Sequence, residues 1–554
     1  MIIKDFNIKD SKEKWGLYAI YILGFALILP YTLYYCDNPD SWQYISLAEK
    51  ISKGYFYLSI NAFWSPLITW LIAIPIFLGC NAIISFKIIQ LLIGFFAIDA
   101  WLKLSRKLVL DNWWRRIVCI AIIPYVLSFS ILNLTPDLLF LTLTNYCLNL
   151  ILKNHGRQEL KSHVFLAFIG VLLYLTKAFG FPLFIALILL NMIFTYFKSK
   201  NLLTLKGPLI SIVVFICLSS FWIIPLSIKN NHFTISEVAK FNMTREVAPL
   251  PGNIVRLPIL NGPLLSPPDH FALSAWESPG NAIKLTPIQP FGSDADFSYY
   301  LQIVKRNLLS IWYYDFKNQS GVFFLISLLL YTFFKPKSSR IIDWKFIFLV
   351  SVILLFYIGY GLILVHTRYV WFCTWLMILL TVRLWEGILV NKLFQNRLWK
   401  VAVILLIVLA VKRPVKEILF SKDFDVPVLW IGKGITHPFE TMRITYLHET
   451  HLIKTIKKLK LVPGVHGKLA SLNSLKPSRD IYSSSCFITH ELNSKYFGPL
   501  DQNLSVEEMK LQLMKYEIRY FIVWNHDNWR ASNEEWVRPV YFNPDLGLTI
   551  YGLF

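Results

Sequence analysis

The feature that most limits how this chain can fold is a series of apolar stretches, each about as long as a bilayer is thick, divided by short basic clusters. The first, from Trp15 to Tyr35, contains no charged residue. In hydrocarbon a backbone satisfies its own N–H and C=O groups only as a helix or a closed barrel. Runs of this length without alternation predict helices of about 20 residues. The 554 residues are 55% hydrophobic and only 16% charged, with a mean hydropathy of +0.50, which excludes an ordinary soluble protein and predicts a polytopic helical membrane protein. The formal charge of +21 does not point to nucleic acid. Its Lys and Arg residues sit in short clusters at alternate ends of the apolar spans, the positive-inside pattern, where they meet anionic headgroups.

With Lys4, Lys9, Lys12 and Lys14 placed in the cytoplasm, the alternation predicts about eleven spans. After the first come Ala82–Leu102, a third opened by Arg115 and Arg116, then Leu138–Leu152, Val164–Thr176, Phe181–Lys198 and Pro208–Leu226. The later ones are Gly321–Phe334, Phe346–Val365, a tenth returning from Tyr369 to Arg383, and Val401–Val411. Leu67–Gly79 is apolar but short and interrupted by Pro75, so it is predicted to be interfacial or re-entrant. Lys412 and Arg413 fall on the wrong side of this alternation. The first span has a basic flank but no small-residue cleavage site and reads as retained rather than as a signal peptide.

Three segments are too polar for lipid, and all are predicted outside. The first, residues 36–67, opens with Asp37 and Asp40 and continues as an amphipathic run (Trp42, Tyr44, Ile45, Leu47, Ala48, Ile51) that reads as a membrane-surface helix ended by Gly54. Tyr55, Phe56, Tyr57, Phe63 and Trp64 suit the headgroup boundary, and Pro66 restarts the chain. The second, residues 229–320, is rich in Pro and Gly between Ala248 and Pro290 and shows little helical periodicity, as expected of a lid, binding loop or linker. The third, from Pro414, alternates strand-like runs (Lys468–Ser471, Tyr520–Trp524, Leu546–Tyr551) with a helical stretch, Val506–Tyr516, and predicts a soluble α/β domain. Residues 1–413 and 414–554 thus form the expected membrane module and extracytoplasmic domain.

Several residues on the outer face carry chemistry or a blander role. Asp40 suits either a general base or a cap on the surface helix. Asp37, three residues earlier, can share a divalent cation with it, although two acids are too few to specify a metal. Asp137 is either a second acid or a simple helix N-terminal acid. Arg368 and Lys177 end spans, where a snorkelling cation is common; both are also placed to hold a phosphate, Arg368 bidentately. His366 can assist them or be merely solvated, and Lys229, Arg245 and Arg256 are weaker candidates in the long loop. The seven cysteines form no CxxC or Cys/His ligand set. Cys36 and Cys80 bracket the first outer loop and are the one candidate disulfide.

The stretch Asp40-Ser41-Trp42-Gln43-Tyr44, followed by Ala48, Gly54 and Trp64-Ser65-Pro66-Leu67, resembles the first outer loop of GT-C glycosyltransferases, in the branch of the protein O-mannosyltransferases and the lipid A aminoarabinose transferase. Thr135-Pro136-Asp137, Leu175-Thr176-Lys177-Ala178-Phe179-Gly180, Phe221-Trp222 through Ile228-Lys229-Asn230, and Arg368-Tyr369 resemble further motifs of that family in the same order. The strand at Ile518–Val523 is similar to one in its outer domain. Many relatives carry a basic residue or a second Pro where Ser65 stands, and some carry Glu after the acid where this chain has Ser41.

The resemblance implies inverting transfer of a sugar, hexosyl or pentosyl, from a polyprenyl phosphate to a hydroxyl on a glycan, lipid or protein acceptor. It implies Asp40 and Asp137 as catalytic acids, with Arg368, Lys177 and His366 on the donor phosphate. Asp37, Tyr44, Trp64 and Tyr369 would contact substrate, with packing the alternative for the two tyrosines. No cofactor is implied with certainty beyond a divalent cation as an option, and a bacterial inner membrane is the expected location. A transporter or flippase of lipid-linked sugars, or a non-catalytic scaffold, are the rival readings.

Overall fold

The computed structural model describes residues 8–34, 36, 38–109, 111–156, 158–247, 263–282, 289–334, 341–419, 450–462, 464–473, 479–501, 503–524, 532 and 534–553. Asp37 and Arg256 therefore lie outside the described residues.

The chain begins with α1 (Ile8–Thr32), then enters α2 (Pro39–Ser52) and the single turn α3 (Phe56–Ser59). Two helices follow, α4 (Pro66–Phe77) and α5 (Ala82–Ser105), the latter started by Asn81, whose side chain accepts from the Ile83 and Ile84 amides. The third expected span is broken into α6 (Asn112–Ala121) and α7 (Ile123–Ile131), with Pro124 at the break, where it can donate no backbone bond. Then come α8 (Asp137–Asn154), α9 (Leu160–Thr176), α10 (Gly180–Ser199) and α11 (Lys206–Asn230).

The second half of the bundle carries α12 (Val238–Val247), α13 (Pro279–Ala282) and α14 (Asp294–Asn318). It continues through α15 (Ser320–Phe334), α16 (Trp344–Gly361), α17 (Thr367–Ile388), α18 (Arg397–Ala410) and α19 (Lys412–Leu419). Each of the eleven expected spans coincides with helix among the described residues. Seven are long and apolar enough to cross a membrane, and α4, α9 and α15 are shorter apolar helices. The polar residues of α8 (Thr142, Thr144, Asn145, Asn149) are buried inside the bundle, so its composition understates its position at the centre.

Two expectations need correction. The long loop holds a 25-residue helix, α14, whose apolar side chains ring it too evenly to show a face: Trp312, Tyr313 and Phe316 are exposed while Ile303 and Ile311 are buried. Cys36 and Cys80 are not joined in a disulfide; the first is buried and the second exposed. Arg413, on the wrong side by charge alternation, donates to Thr367 Oγ1 at 3.0 Å and so pins the start of α17. Asp99, the acid inside an early span, is neutralised by Lys14 at 2.7 Å and Lys103 at 2.6 Å.

Beyond a helix over 450–459, the C-terminal region forms β1 (Lys468–Asn473), α21 (Arg479–Glu491), β2 (Lys495–Pro499), α22 (Val506–Lys515), β3 (Tyr520–Trp524), β4 (Val537–Asn543) and β5 (Leu548–Leu553), the 450–459 helix being α20. The sheet order is β2-β1-β3-β5-β4, with β2, β1 and β3 parallel and β5 antiparallel to both its neighbours. Helices α21 and α22 make the two crossovers that parallel neighbours require. The edge of β2 is covered by the long loop: the Tyr496 amide donates to Leu273 O at 2.8 Å, and the Leu265 amide to Phe497 O at 2.9 Å.

This arrangement changes the reading of α2. Its polar side is not solvated; Ser41, Gln43, Ser46 and Lys50 are buried along with its apolar residues. The C-terminal domain covers it from one direction, where Trp42 Nε1 donates to Ser483 Oγ at 3.0 Å and His490 Nε2 lies 2.7 Å from Glu49 Oε1. The long loop covers it from another, through Lys50, which pairs with Glu277 and, at 2.6 Å, with Asp269. A surface helix in the sequence becomes the middle layer of three.

Candidate active site

The start of α2 decides what Asp40 can do. Asn38 occupies the cap position and accepts from the Asp40 amide at 3.0 Å, and Pro39 supplies the fixed φ of the first turn. The capping role weighed for Asp40 is thus filled by its neighbour. Its carboxylate points into a cavity of about 270 Å³, whose wall includes Tyr44, Asp137, Lys177, Trp276, Arg368 and Tyr369.

Two carboxylates and two cations meet there. Arg368 Nη2 donates to Asp40 Oδ2 at 2.9 Å, and its Nε lies 3.1 Å from Asp137 Oδ2. Lys177 Nζ donates to Asp137 Oδ1 at 2.5 Å, and Thr135 Oγ1 to Asp137 Oδ2 at 2.6 Å. The four charges sum to zero, so the cluster is stable without a ligand but has no cation to spare. The acids differ in access: the Asp40 side chain is 25% exposed and that of Asp137 only 4%. Asp137 is saturated by donors on both oxygens. Asp40 keeps an open side.

Local structure explains the delivery of each group. Lys177 sits in the turn between α9 and α10, closed by Gly180 N to Lys177 O at 2.8 Å. A Cβ at Gly180 would lie 2.4 Å from Leu173 O, so only glycine permits the turn that aims Lys177 inward. Its ammonium rests over the Tyr369 ring at 4.0 Å, and Tyr369 stacks on Tyr360 with centroids 4.7 Å apart. Tyr369 is thereby an aromatic floor beneath the cations. Tyr44 is buried on the cavity wall; burial, then the nearby charges of Asp40 and Asp137, hold its hydroxyl protonated well above the usual phenol range.

Trp64 packs edge-on against Tyr44 at 5.1 Å, and its indole N–H donates to Trp276 O at 3.2 Å. Ser65 and His366 also line the cavity. Lys229 does not reach it: its ammonium caps the carbonyls of Tyr57, Leu58 and Ile60. Arg245 belongs to α12, which contributes Val238, Ala239 and Asn242 to the wall.

One site residue was invisible in the sequence. Trp276 Nε1 donates to Asp40 Oδ1 at 3.3 Å, so the second oxygen of that acid is held by a residue of the long loop. The neighbouring Glu277 anchors the segment: it accepts from Ser46 Oγ at 2.6 Å and from Lys50, and its carbonyl accepts from Asn61 Nδ2 at 2.8 Å. The only hint was a Trp-Glu pair with a second acid, Asp269, in a Pro/Gly-rich stretch. Among the described residues no group of three or more His, Cys, Asp or Glu side chains is arranged to hold a metal.

No protein-family model and no curated protein matches the chain. Solved structures do match its fold. ArnT from Cupriavidus metallidurans bound to undecaprenyl phosphate aligns with 97% of this chain and 97% of its own, at 10% identity and a TM-score of 0.55. The apo form of the same protein gives a TM-score of 0.52 at 11% identity, covering 97% of this chain and 96% of that one. The oligosaccharyltransferase of Archaeoglobus fulgidus, in complex with Zn and sulfate, gives 0.51 at 11% identity, over 92% of this chain and 68% of its own. The chain thus shares the fold of ArnT and of the archaeal oligosaccharyltransferase: a bundle of apolar helices, several long enough to cross a membrane, with a small C-terminal sheet domain.

Proposed function

We propose that this chain transfers a sugar from a polyprenyl phosphate to a hydroxyl acceptor by single, inverting displacement, on the extracytoplasmic face of a cell membrane. The observation that carries the reading is the pairing of an accessible carboxylate, Asp40, with Arg368 across a cavity that also holds a buried Asp137–Lys177 pair. Such a reaction needs one base, cations on the leaving phosphate, and a site reached from lipid. Asp40 takes the proton from the acceptor hydroxyl as that oxygen attacks the anomeric carbon. The C1–O bond to the phosphate breaks, and its electron pair leaves on the phosphate. Arg368 and Lys177 receive that charge. Asp137, dry and fully hydrogen-bonded, holds the two cations apart and aimed.

The complex of ArnT with undecaprenyl phosphate, in a protein of the same fold, supports the lipid class of the donor. In this reading residues 1–413 carry the chemistry and residues 414–554 form the outer domain that roofs it. His366, Tyr44 and Trp64 contribute cavity wall toward the donor, with the Tyr44 hydroxyl as a neutral donor.

The test is an Asp40→Asn variant in cells of the source, with membrane lipids analysed by mass spectrometry. The variant is expected to accumulate a polyprenyl-phosphate sugar while still binding undecaprenyl phosphate when purified, because both cations remain. Transfer falls by ~10²–10⁴-fold, the usual contribution of a positioned base. Normal lipid-linked sugar levels with an intact envelope glycan would sink the proposal.

A further inference from the structure

At the end of the bundle remote from the cavity, three lysines converge from three helices. Lys107 follows the end of α5, roughly 25 Å along the helix from Gln90, which donates to Thr135 O on the cavity wall. Its ammonium donates to the backbone oxygen of Asn149 in α8. Lys153 stands one helical turn beyond Asn149 on that same face, which places it beside Lys107. Lys345, in the first turn of α16, reaches the Lys107 carbonyl at 3.5 Å.

Acids at this end are engaged elsewhere: Asp111 accepts from the Trp113 amide at 2.6 Å, and Glu386 from the Asp111 amide at 2.8 Å. Glu13 is taken by Arg115 at 3.1 Å and Arg106 at 3.4 Å, Asp99 by Lys14 and Lys103, and Asp343 by Arg383 at 3.2 Å. Among the described residues none of Lys107, Lys153 and Lys345 has an ion-pair partner. Burial, and then the charges of Lys153, Lys345 and Lys103, push the Lys107 ammonium down to about 8. Beside Lys345, Trp344 stacks on His155 with centroids 3.9 Å apart, an aromatic pair of the kind found at headgroup depth.

We propose that Lys107, Lys153 and Lys345 form a binding site for the phosphate of an anionic phospholipid headgroup, in the leaflet opposite the cavity. Three unopposed cations at the ends of packed helices repel one another, and a phosphodiester placed among them removes that repulsion. The aromatic wall meets the upper part of the acyl chains. Two of the helices that bring these lysines together also carry cavity groups at their other ends: Asp137 opens α8, and Tyr360 stands in the last turn of α16. A lipid bound there clamps the three helices together.

The full chain, purified in detergent and reconstituted in nanodiscs of phosphatidylcholine with or without phosphatidylglycerol, provides the test, read by native mass spectrometry. Wild-type protein is expected to retain phosphatidylglycerol, and Lys107→Gln/Lys153→Gln/Lys345→Gln to retain it at least ~10-fold less. Lys198→Gln/Lys200→Gln, a charge loss of similar size elsewhere, is expected to retain it as wild type does. If the triple variant does not fold, Lys153→Gln alone, an exposed position, is expected to show a partial loss. Equal retention by wild type and the Lys153-containing variants overturns the proposal. So does complete displacement of the lipid by inorganic phosphate, which would mark a site for the free anion. Neither result bears on the transfer reaction at Asp40.

Discussion

Arg368 and Asp40 stand 2.9 Å apart, Nη2 to Oδ2, across 328 residues of chain. The same guanidinium reaches Asp137 with its Nε at 3.1 Å, so one side chain holds both acids of the cavity. A phosphate entering the site must share that guanidinium, and Asp40, the more exposed acid, is the one that can give way. In the proposed reaction the resting pair holds the cation in place and yields one bond when donor binds.

Removing the guanidinium should show this dual role. Arg368→Ala leaves Asp137, 4% exposed, with Lys177 as its only cation, and stranding a buried partner in this way costs ~3–5 kcal/mol. The thermal midpoint in detergent should fall by several degrees. Adding Asp137→Asn should recover much of that stability while undecaprenyl phosphate binding stays at least ~10-fold weaker than wild type. Recovery of both together would mean that Arg368 has no part in binding the lipid phosphate.

Trp276 separates geometry from packing. Trp276→Phe keeps a ring against Phe63 and Phe241, whose centroids lie 6.2 and 6.1 Å from the indole, but deletes the N–H that donates to Asp40. Thermal stability should move by no more than ~1 kcal/mol, the worth of one hydrogen bond. Sugar transfer in cells should fall ~10-fold as Asp40 gains a second orientation. If Trp276→Ala lowers transfer no further than Trp276→Phe, the N–H is the part that matters. If Trp276→Phe is silent, the contact is incidental.

Much of this was legible beforehand, and the parts that were not share a cause. Span positions followed from hydropathy because lipid leaves the backbone no other option. Asp40, Asp137, Lys177 and Arg368 stood out as charges at outer ends of spans within stretches that resemble motifs of a known family, and the structure brings all four into one cavity. The Trp276 contact was hidden because nothing local orients it; Glu277 does so through Ser46 and Lys50, more than 200 residues away. The burial of the polar side of α2 was hidden for the same reason. Its cover comes from a domain at the other end of the chain and from the long loop.

The Lys50–Glu277 pair offers a way to lift that cover. Lys50 is 1% exposed between Glu277 and Asp269, and burial pushes the Glu277 carboxyl above its usual range in spite of the lysine. Lys50→Met should protonate Glu277 and release the segment from residue 264 to 277. Hydrogen exchange of that segment should rise at least ~10-fold, with a stability loss of ~3 kcal/mol. Adding Glu277→Met should restore protection, since two apolar groups in a dry site strand no charge. Unchanged exchange in the single variant would show that the sheet edge at Tyr496 and Phe497 holds the segment unaided.

The junction between α2 and the C-terminal domain should respond to pH with a defined sign. His490 lies 2.7 Å from Glu49 and 3.6 Å from Glu491, and its ring meets Trp42 at 5.4 Å. Burial opposes its charge, but Glu49, by charge and hydrogen bond, and then Glu491 raise the imidazole to about 9. A histidine raised above its unfolded value of about 6.5 stabilises fully below that value and loses the contribution as pH rises through about 9. The glutamates act in the other direction. Burial works against Glu49, yet His490 holds it below the usual range, and hydrogen bonding to His490 takes Glu491 to about 2, so their contribution is lost as pH falls below about 4.5. The wild-type thermal midpoint should therefore be flat between about pH 4.5 and 6.5 and fall from there toward pH 10, by on the order of 3 kcal/mol from this histidine. His490→Gln should remove the alkaline fall relative to wild type, with the Trp42–Ser483 bond and the stacking of Trp42 on Phe487 still in place. Parallel curves for the two proteins from pH 7 to 10 would mean that the histidine is neutral in the folded chain and that packing alone joins the domain to α2.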